Sequence, residues 1–295
     1  MQRLLPIAVA AALVAVLLIP LVLHFGQKSH NELSLDYAQL APEGSKLGTS
    51  YASGVAAIMG NELEGTTGWR PNDLVIWGPT LMADNNASRQ LGILQALRET
   101  TRVFKDHLTK VSSDQYDRNL VEAENLLRND PDKWAFPSAE SRYREAVERL
   151  QAYVEGLRAE PPKSRPINAR NVELIRLIQA WSDMLGDAHA DLLRDDVGWF
   201  QVDDVFYRTT GYCHVIAHMI PAIQIEYRQE LDSRPVLQTL FDETEAPLLR
   251  CATMKPILVL NGGDTSPIAN QRRNLDAYVT EGRQKLYSIR EELEK

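Results

Sequence analysis

The sequence predicts an all-α protein in which an N-terminal transmembrane helix precedes a bundle of long antiparallel helices. Residues 4–25 form an unbroken apolar run with no formal charge. Beyond this run, apolar residues recur at steps of three and four over several long segments, which is the period of an amphipathic helix. No segment alternates strictly between apolar and polar residues, the pattern that predicts a half-buried strand. These observations favour helices throughout the chain.

The apolar run at residues 4–25 is long enough to cross a membrane. At about 1.5 Å per residue it reaches roughly 33 Å, and a hydrocarbon core is about 30 Å thick. A cleavable signal has a shorter apolar region followed by a small-x-small site, and residues 24–30 contain no such site. We therefore expect an uncleaved anchor over residues 1–28, a polar linker over 29–48 and a soluble helical domain over 49–295.

The charges beside the apolar run predict its orientation. Arg3 and the N-terminal amine precede the run, while Lys28 follows it, so the positive-inside tendency is weak. Short N-terminal anchors usually keep the N-terminus in the cytosol, which would place the domain on the opposite side. Only about three residues would then face the cytosol, and this argues against a signalling receptor that acts alone.

Composition excludes several classes of partner and site. The formal net charge is −8 and there is no basic stripe, which argues against binding to nucleic acid or to anionic lipid head groups. Cys213 and Cys251 are the two cysteines, too few for a disulfide scaffold or a four-thiolate zinc site. No nucleophile elbow, zinc-protease helix or dinucleotide fingerprint occurs. We therefore expect neither an enzyme nor a cofactor. A hydrolase is the least favoured alternative, because it would need a nucleophile–base pair that the sequence does not reveal.

Helical periodicity predicts the elements of the domain in order. A short helix is expected at residues 50–63, and an irregular stretch with two tryptophans follows at 65–86. The segment at 205–231 is apolar all round in its middle, which predicts a central buried helix. The remaining helices are expected at residues 87–110, 114–128, 138–160 with Ser138 as the cap, 168–194 with Asn168 as the cap, 235–258 in one or two pieces interrupted at Pro247, and 267–294.

The two cysteines are placed symmetrically about a predicted turn. Cys213 lies 19 residues before Asp232 and Cys251 lies 19 residues after it. In a regular helical hairpin, equal distances from the turn put two residues at the same height, within reach of a disulfide. The alternatives are two buried thiols that act as small hydrophobes or, less favoured, a redox-active pair.

Two histidines share one face of the predicted central helix. His214 and His218 are four residues apart, a usable spacing for two metal ligands. The third ligand would have to come from Glu226 or Asp187, and we favour structural histidines that bond between helices. A small-ligand pocket around these two histidines is the main alternative, with two aromatic residues of the same helix, Tyr207 and Tyr212.

Acidic pairs surround two aromatic residues near the start of this helix. Residues 195–196 and 203–204 are Asp-Asp pairs on either side of Trp199 and Phe200. Such an arrangement is compatible with a cation site or a carbohydrate subsite. It is more typical of a capped turn between helices, because aspartate is favoured at helix starts.

Several segments resemble one bacterial family. The motif PILVLNG at residues 256–262, followed by Ala269, Asn270 and a final helix, resembles its closing motif. GWRPND at 68–73 and DN with QLG within 84–92 resemble its N-terminal signature, and FY and GY within 206–212 resemble its middle. The family is domain of unknown function 2333 (DUF2333), from proteobacterial membrane proteins. One position departs from it: Gln271 stands where the family has histidine.

The resemblance implies a bacterial inner-membrane protein with one N-terminal span and a periplasmic C-terminal domain. It implies no reaction, cofactor or partner. Together with the helical pattern, it leads us to expect a scaffold or accessory subunit that binds an envelope protein or a second copy of itself, held by membrane lipid around its anchor. The residues expected at the interaction surface are Trp69, Trp77, Asp84, Asn85, Trp199 and Phe200.

Overall fold

A computed structural model describes most of the chain and shows an all-α protein. No β-strand occurs among the residues that it describes, so the predicted fold class is confirmed for that part of the chain. Residues 7–16 are helical, and no helix of the described residues is both long and apolar enough to span a membrane. The expected span at 4–25 stays a prediction. The described residues are 7–16, 18, 22, 33–65, 67–73, 84–108, 116–194, 198–256, 259–260, 262 and 270–295.

The helical body lies between residues 37 and 293. Helix α3 continues into a π-helical turn, Phe104–Leu108. The helices are α1 (Tyr37–Leu40), α2 (Thr49–Glu64), α3 (Asp84–Val103), α4 (Arg118–Leu127), α5 (Ala139–Arg158), α6 (Asn171–Leu193), α7 (Trp199–Glu226), α8 (Arg228–Ser233), α9 (Pro235–Ala252) and α10 (Gln271–Leu293).

Helix α7 is the centre of the body. It contacts α2, α3, α6, α9 and α10, and the residues in its middle, 213–217, are fully buried. This confirms the prediction of a central helix at 205–231, although α7 begins six residues earlier, at Trp199. Burial on all sides explains why its apolar residues do not form a single stripe.

Three local expectations are corrected by the structure. Pro247 does not interrupt α9, which is continuous because one lost backbone bond is outweighed by the burial of Phe241 and Leu248 on either side. Helix α6 begins at Asn171 with Arg170 at its cap, so Asn168 is not the cap. Helix α3 begins at Asp84, inside the stretch expected to be irregular.

Helices α3 and α7 cross at two glycines with their backbones in contact. A Cβ atom on Gly92 would lie 2.9 Å from the carbonyl carbon of Arg208 and still closer to its oxygen. On the other helix, a Cβ atom on Gly211 would lie 2.7 Å from the backbone nitrogen of Ile93. Only glycine permits this approach, so the two positions set the distance between the helices.

The chain before α2 is bonded to the end of α7. His218 contacts the carbonyl oxygen of Leu33 through Nε2 at 2.6 Å, and the Tyr37 hydroxyl donates to the carbonyl oxygen of His218 at 2.7 Å. Further on, the Glu226 carboxylate accepts from the backbone nitrogens of Gly48 at 2.6 Å and Ser50 at 2.9 Å. Glu226 thus caps α2, and residues 33–48 belong to the helical body.

The glycine crossing predicts the outcome of a matched pair of substitutions. Gly92→Ala should lower the free energy of unfolding by about 1–3 kcal/mol, because the new methyl group overpacks a backbone contact. Gly60→Ala in α2 is the control, since a Cβ atom there meets nothing within 4 Å, and it should stabilise by about 0.5–1 kcal/mol. Urea denaturation of both variants measures the difference. Equal effects of the two substitutions would contradict the close crossing.

Candidate functional site

A buried ion pair joins α2 to α3. Both guanidinium NH groups of Arg89 bond the Glu62 carboxylate, NH1 to Oε2 and NH2 to Oε1, each at 3.0 Å. The two side chains are each 1% exposed. Removing one partner from such a pair typically costs about 3–5 kcal/mol, because the other charge stays buried and uncompensated. The pair therefore holds the two helices in one register.

Gln90 connects this ion pair to the segment GWRPND at residues 68–73. Its Nε2 atom donates to Glu62 Oε2 at 3.1 Å and to the carbonyl oxygen of Gly68 at 3.0 Å. Its Oε1 atom accepts from the backbone nitrogen of Arg70 at 2.9 Å. Two motif segments that are separate in sequence are therefore parts of one hydrogen-bonded cluster.

The closing motif is bonded to the start of α10. Gln271 accepts from the backbone nitrogen of Leu260 at 2.6 Å through its side chain, and it donates to the same residue's carbonyl oxygen at 3.1 Å through its backbone. Asn270 donates to the carbonyl oxygen of Gly262 at 2.7 Å and accepts from the backbone nitrogen of Arg273 at 3.0 Å. Gln271 thus joins the closing motif to the start of α10.

A family model matches almost the whole length of the chain. The model of the family described as "Uncharacterized protein conserved in bacteria (DUF2333)" matches residues 3–198 and 186–295. The chain belongs to the DUF2333 family. No curated protein and no solved structure gives a significant match. The resemblance inferred from the motifs is therefore confirmed over nearly the whole length of the chain.

In this DUF2333 protein, three carboxylates lie together where α3 begins. Burial, together with the nearby charges of Asp203 and Asp204, raises the pKa of Asp84 to about 6. Burial also raises the pKa of Asp203. Ser88 donates to Asp204 Oδ1 at 2.6 Å, which links α3 to α7 beside this cluster. Asp84, one of the residues expected at an interaction surface, is half-buried and lies near two other carboxylates.

The two histidines differ in their surroundings. His218 is bonded to the backbone, whereas His214 is fully buried and neither of its ring nitrogens has a hydrogen-bond partner among the described residues, so the expectation of histidines that bond between helices is wrong for His214. The two ring nitrogens of His218 lie 2.7 and 2.6 Å from the carbonyl oxygens of His214 and Leu33. Carbonyl oxygens only accept, and a ring nitrogen that donates to one has no lone pair available to a metal. Burial lowers the pKa of His214 well below its usual value, with the charge of His218 adding to the effect. Among the described residues, no group of three or more His, Cys, Asp and Glu is placed to hold a metal ion.

The two tyrosines expected around a ligand pocket are bonded inside the fold. Tyr207 donates to the carbonyl oxygen of Pro256, and Tyr212 donates to Gln95 Oε1 at 2.7 Å. Burial raises the pKa of both hydroxyl groups, that of Tyr212 to about 12. A groove of about 900 Å³ lies elsewhere, where residues 37–47 face 225–230 at the end of α7.

The structure joins Cys213 of α7 and Cys251 of α9 in a disulfide, with their Cα atoms 6.0 Å apart. Both cysteines are fully buried. The turn predicted at Asp232 is wrong, because Asp232 lies inside the short helix α8, but the two cysteines still meet across α7 and α9. The crosslink ties the central helix to its neighbour.

The remaining expected interaction residues fall into two groups. Trp69 and Asn85 are 3% and 7% exposed, so neither side chain can be a principal contact for a partner, and this corrects the expectation from sequence. Trp69 is buried because its ring packs edge-on against Tyr143, with 5.0 Å between ring centroids. Trp77 and residues 195–196 lie outside the described residues. Trp199 and Phe200 open α7, and their side chains are not among those described.

Sequence reasoning missed two features. The ion pair between Glu62 and Arg89 joins residues 27 positions apart and has no local signal in the sequence. The second feature is a pair of solvent-exposed aromatic residues, Trp134 and Phe136, between α4 and α5. The sequence could have predicted their exposure. They stand in the polar, proline-bounded segment DPDKWAFP at residues 130–137, where no helical pattern explains a large apolar residue.

The raised pKa of Asp84 predicts how stability depends on pH. The folded state holds this proton more tightly than the unfolded chain, whose aspartate pKa is about 3.9. Stability should therefore fall as the pH rises from about 4 through 6. Asp84→Asn removes this penalty, so it should raise the melting temperature by roughly 2–4 °C at pH 8 and leave it unchanged at pH 4. Asp232→Asn, at an exposed carboxylate, is the control; an equal effect of Asp84→Asn at both pH values would refute the buried-carboxylate interpretation.

Proposed function

We propose that this DUF2333 protein is a membrane-anchored scaffold of the bacterial envelope. Residues 4–25 cross the inner membrane with the N-terminus in the cytoplasm. The helical body lies in the periplasm and binds a partner protein there, as an accessory or organising subunit. The anchor, the compartment and the partner binding are each supported by a different feature of the chain.

The support for an anchored body comes from the sequence and from the start of the body. The apolar run at 4–25 has the length and composition of a membrane span. Residues 33–37 are then bonded to the central helix by His218 and Tyr37. A chain that leaves the membrane would thus be fixed to the rigid centre of the domain within a few residues, which limits how far the body can swing.

The support for the periplasm is the pairing of Cys213 with Cys251. Disulfides form and persist in oxidising compartments such as the bacterial periplasm, and they are rare in the cytosol. The N-in orientation expected from the sequence places the body on that same side. Two independent features therefore favour one compartment.

The observation that carries a binding function is how the family motifs use their polar groups. Gln90 bonds Glu62, Gly68 and Arg70, and Asn72 donates to the carbonyl oxygen of Lys133 at 3.0 Å. These side chains hold loops in fixed positions. Because these buried polar groups are bonded to the protein's own backbone and side chains, they support a structural, partner-binding body over a site that gathers such groups around a substrate.

The proposal predicts the result of gentle detergent extraction. Tagged full-length protein should be recovered from inner membranes together with one or two stoichiometric companion proteins, identified by quantitative mass spectrometry. Another tagged single-span protein of the same membrane, extracted in parallel, controls for proteins that bind the detergent micelle or the tag. A clean monomer or homo-oligomer would refute the scaffold function.

The same preparation tests the compartment. Cys213 and Cys251 should resist a thiol alkylating reagent in denatured, unreduced protein and react with it after reduction. Free thiols in protein taken directly from cells, or recovery of the chain in the soluble cytoplasmic fraction, would contradict the periplasmic anchor even if companions were found.

A further inference from the structure

The loop between α4 and α5, residues 128–138, presents two large aromatic side chains to solvent; we call it the aromatic loop. Trp134 is 70% exposed and Phe136 is fully exposed. The two residues stand two positions apart in a segment without helical structure. Single apolar side chains on a surface need no explanation, so the case for a binding surface depends on how this loop is held.

The first half of the aromatic loop is fixed from α3 and α5. Arg98 donates to the carbonyl oxygens of Leu127 and Asn129, each at 2.6 Å. The Tyr143 hydroxyl donates to the same oxygen of Asn129 at 2.8 Å. Charged and hydroxyl donors from two helices therefore satisfy the carbonyl groups where the chain leaves α4.

The middle of the loop, just before the two aromatic residues, is bonded to the segment GWRPND at 68–73. Trp69 donates through Nε1 to the carbonyl oxygen of Pro131, and Asn72 donates through Nδ2 to that of Lys133, both at 3.0 Å. Asn72 Nδ2 also bonds Glu140 Oε2 at 2.9 Å, and the backbone nitrogen of Ala139 donates to Lys133 at 2.8 Å. Two side chains of the segment GWRPND thus end on the loop that carries the exposed aromatic residues.

This support makes the aromatic pair a preorganised surface. A rigid loop loses little conformational entropy when a partner binds, and tryptophan and phenylalanine supply large contact areas with few rotatable bonds. Aromatic residues of this kind are enriched among the few residues that dominate binding energy at protein interfaces. Val172 and Val236 offer a comparison, since they are 58% and 59% exposed on helix faces without any such support.

The charges around the aromatic pair indicate the chemistry of the partner. Asp130 and Asp132 precede the pair and Glu140 follows it. The opposing charges of the loop are Lys133 and Arg128, and Arg128 is paired with Glu124 of α4. Burial raises the pKa of Asp132, and the charge of the neighbouring Asp130 raises it further. Carboxylates repel anionic lipid head groups and favour a basic protein surface.

We propose that the aromatic loop is the docking surface for the partner protein, which receives Trp134 and Phe136 in an apolar pocket with lysine or arginine at its rim. This inference rests on the proposed scaffold function and names the surface and the partner chemistry through which it acts. The family motif at 68–73 keeps the loop in its binding conformation, and the carboxylates orient the partner.

Site-specific photocrosslinking in cells tests the surface directly. A benzophenone amino acid is placed at Trp134 or Phe136 of the full-length chain, and at Val172 or Val236 as controls of similar exposure. We expect crosslinks from the two loop positions to the same protein that is recovered by detergent extraction, at a peptide rich in lysine or arginine. The control positions should not crosslink to it.

Matched variants give the energetic test. The double substitution Trp134→Ser and Phe136→Ser should reduce recovery of the companion about thirtyfold or more, whereas Val172→Ser with Val236→Ser should change it less than about twofold. Asp132→Lys should reduce recovery of the companion about tenfold at low salt. At high salt the variant and the wild-type chain should differ less, because screening weakens the attraction between the wild-type carboxylate and the partner. The melting temperature of each variant checks its folding; all four neutral sites are exposed, so little change is expected.

These experiments distinguish failure of the proposed docking surface from failure of the proposed scaffold function. If the wild-type chain recovers a companion but the loop variant recovers it equally well, the surface inference is overturned and the scaffold function stands. Crosslinks from 134 and 136 to lipid or to a second copy of the chain would also overturn it. If the wild-type chain recovers no companion, the scaffold function fails and this inference fails with it.

Discussion

The buried pair between Glu62 and Arg89 is the interaction on which the arrangement of this protein depends. Both side chains are 1% exposed, and both guanidinium NH groups are used on one carboxylate. Buried charges are tolerated only with well-placed partners, so α2 and α3 have little freedom to shift against each other. The adjacent Gln90 extends the constraint to the segment at 68–73, and the glycine crossing at Gly92 and Gly211 extends it to the central helix.

This constraint connects the interior to the surface. The segment at 68–73 begins at the buried cluster and ends, through Trp69 and Asn72, on the loop at 128–138. A polar cluster without access to solvent is thus bonded, through this segment, to the loop that carries two exposed aromatic side chains. At the other end of the molecule, His218 and Glu226 bond residues 33–50 to the same central helix. Residues 33–50 and the loop at 128–138 are therefore both bonded to the same helical body.

The sequence predicts the helices well because their signals are local. Ser138 caps α5 as expected, accepting from the backbone nitrogen of Ser141, and the all-apolar middle of α7 correctly indicates a central helix. Local signals do not predict which tryptophan is buried and which is exposed. Trp69 and Trp134 both stand in irregular segments, yet Trp69 is buried against Tyr143 while Trp134 faces solvent, because only tertiary packing distinguishes them. The partners of Arg89 and Gln90 lie in other elements, too far away in sequence for helical periodicity to predict the contacts.

A double-mutant cycle on Glu62 and Arg89 tests the central claim most directly. The free energy of unfolding is measured for Glu62→Leu, Arg89→Met and the double variant, alongside the wild-type chain. Each single substitution should cost about 3–5 kcal/mol, because it leaves one buried charge without its partner, while the double variant should cost far less than the sum. Single substitutions that cost less than about 1 kcal/mol and simply add would show that the pair does not organise the fold.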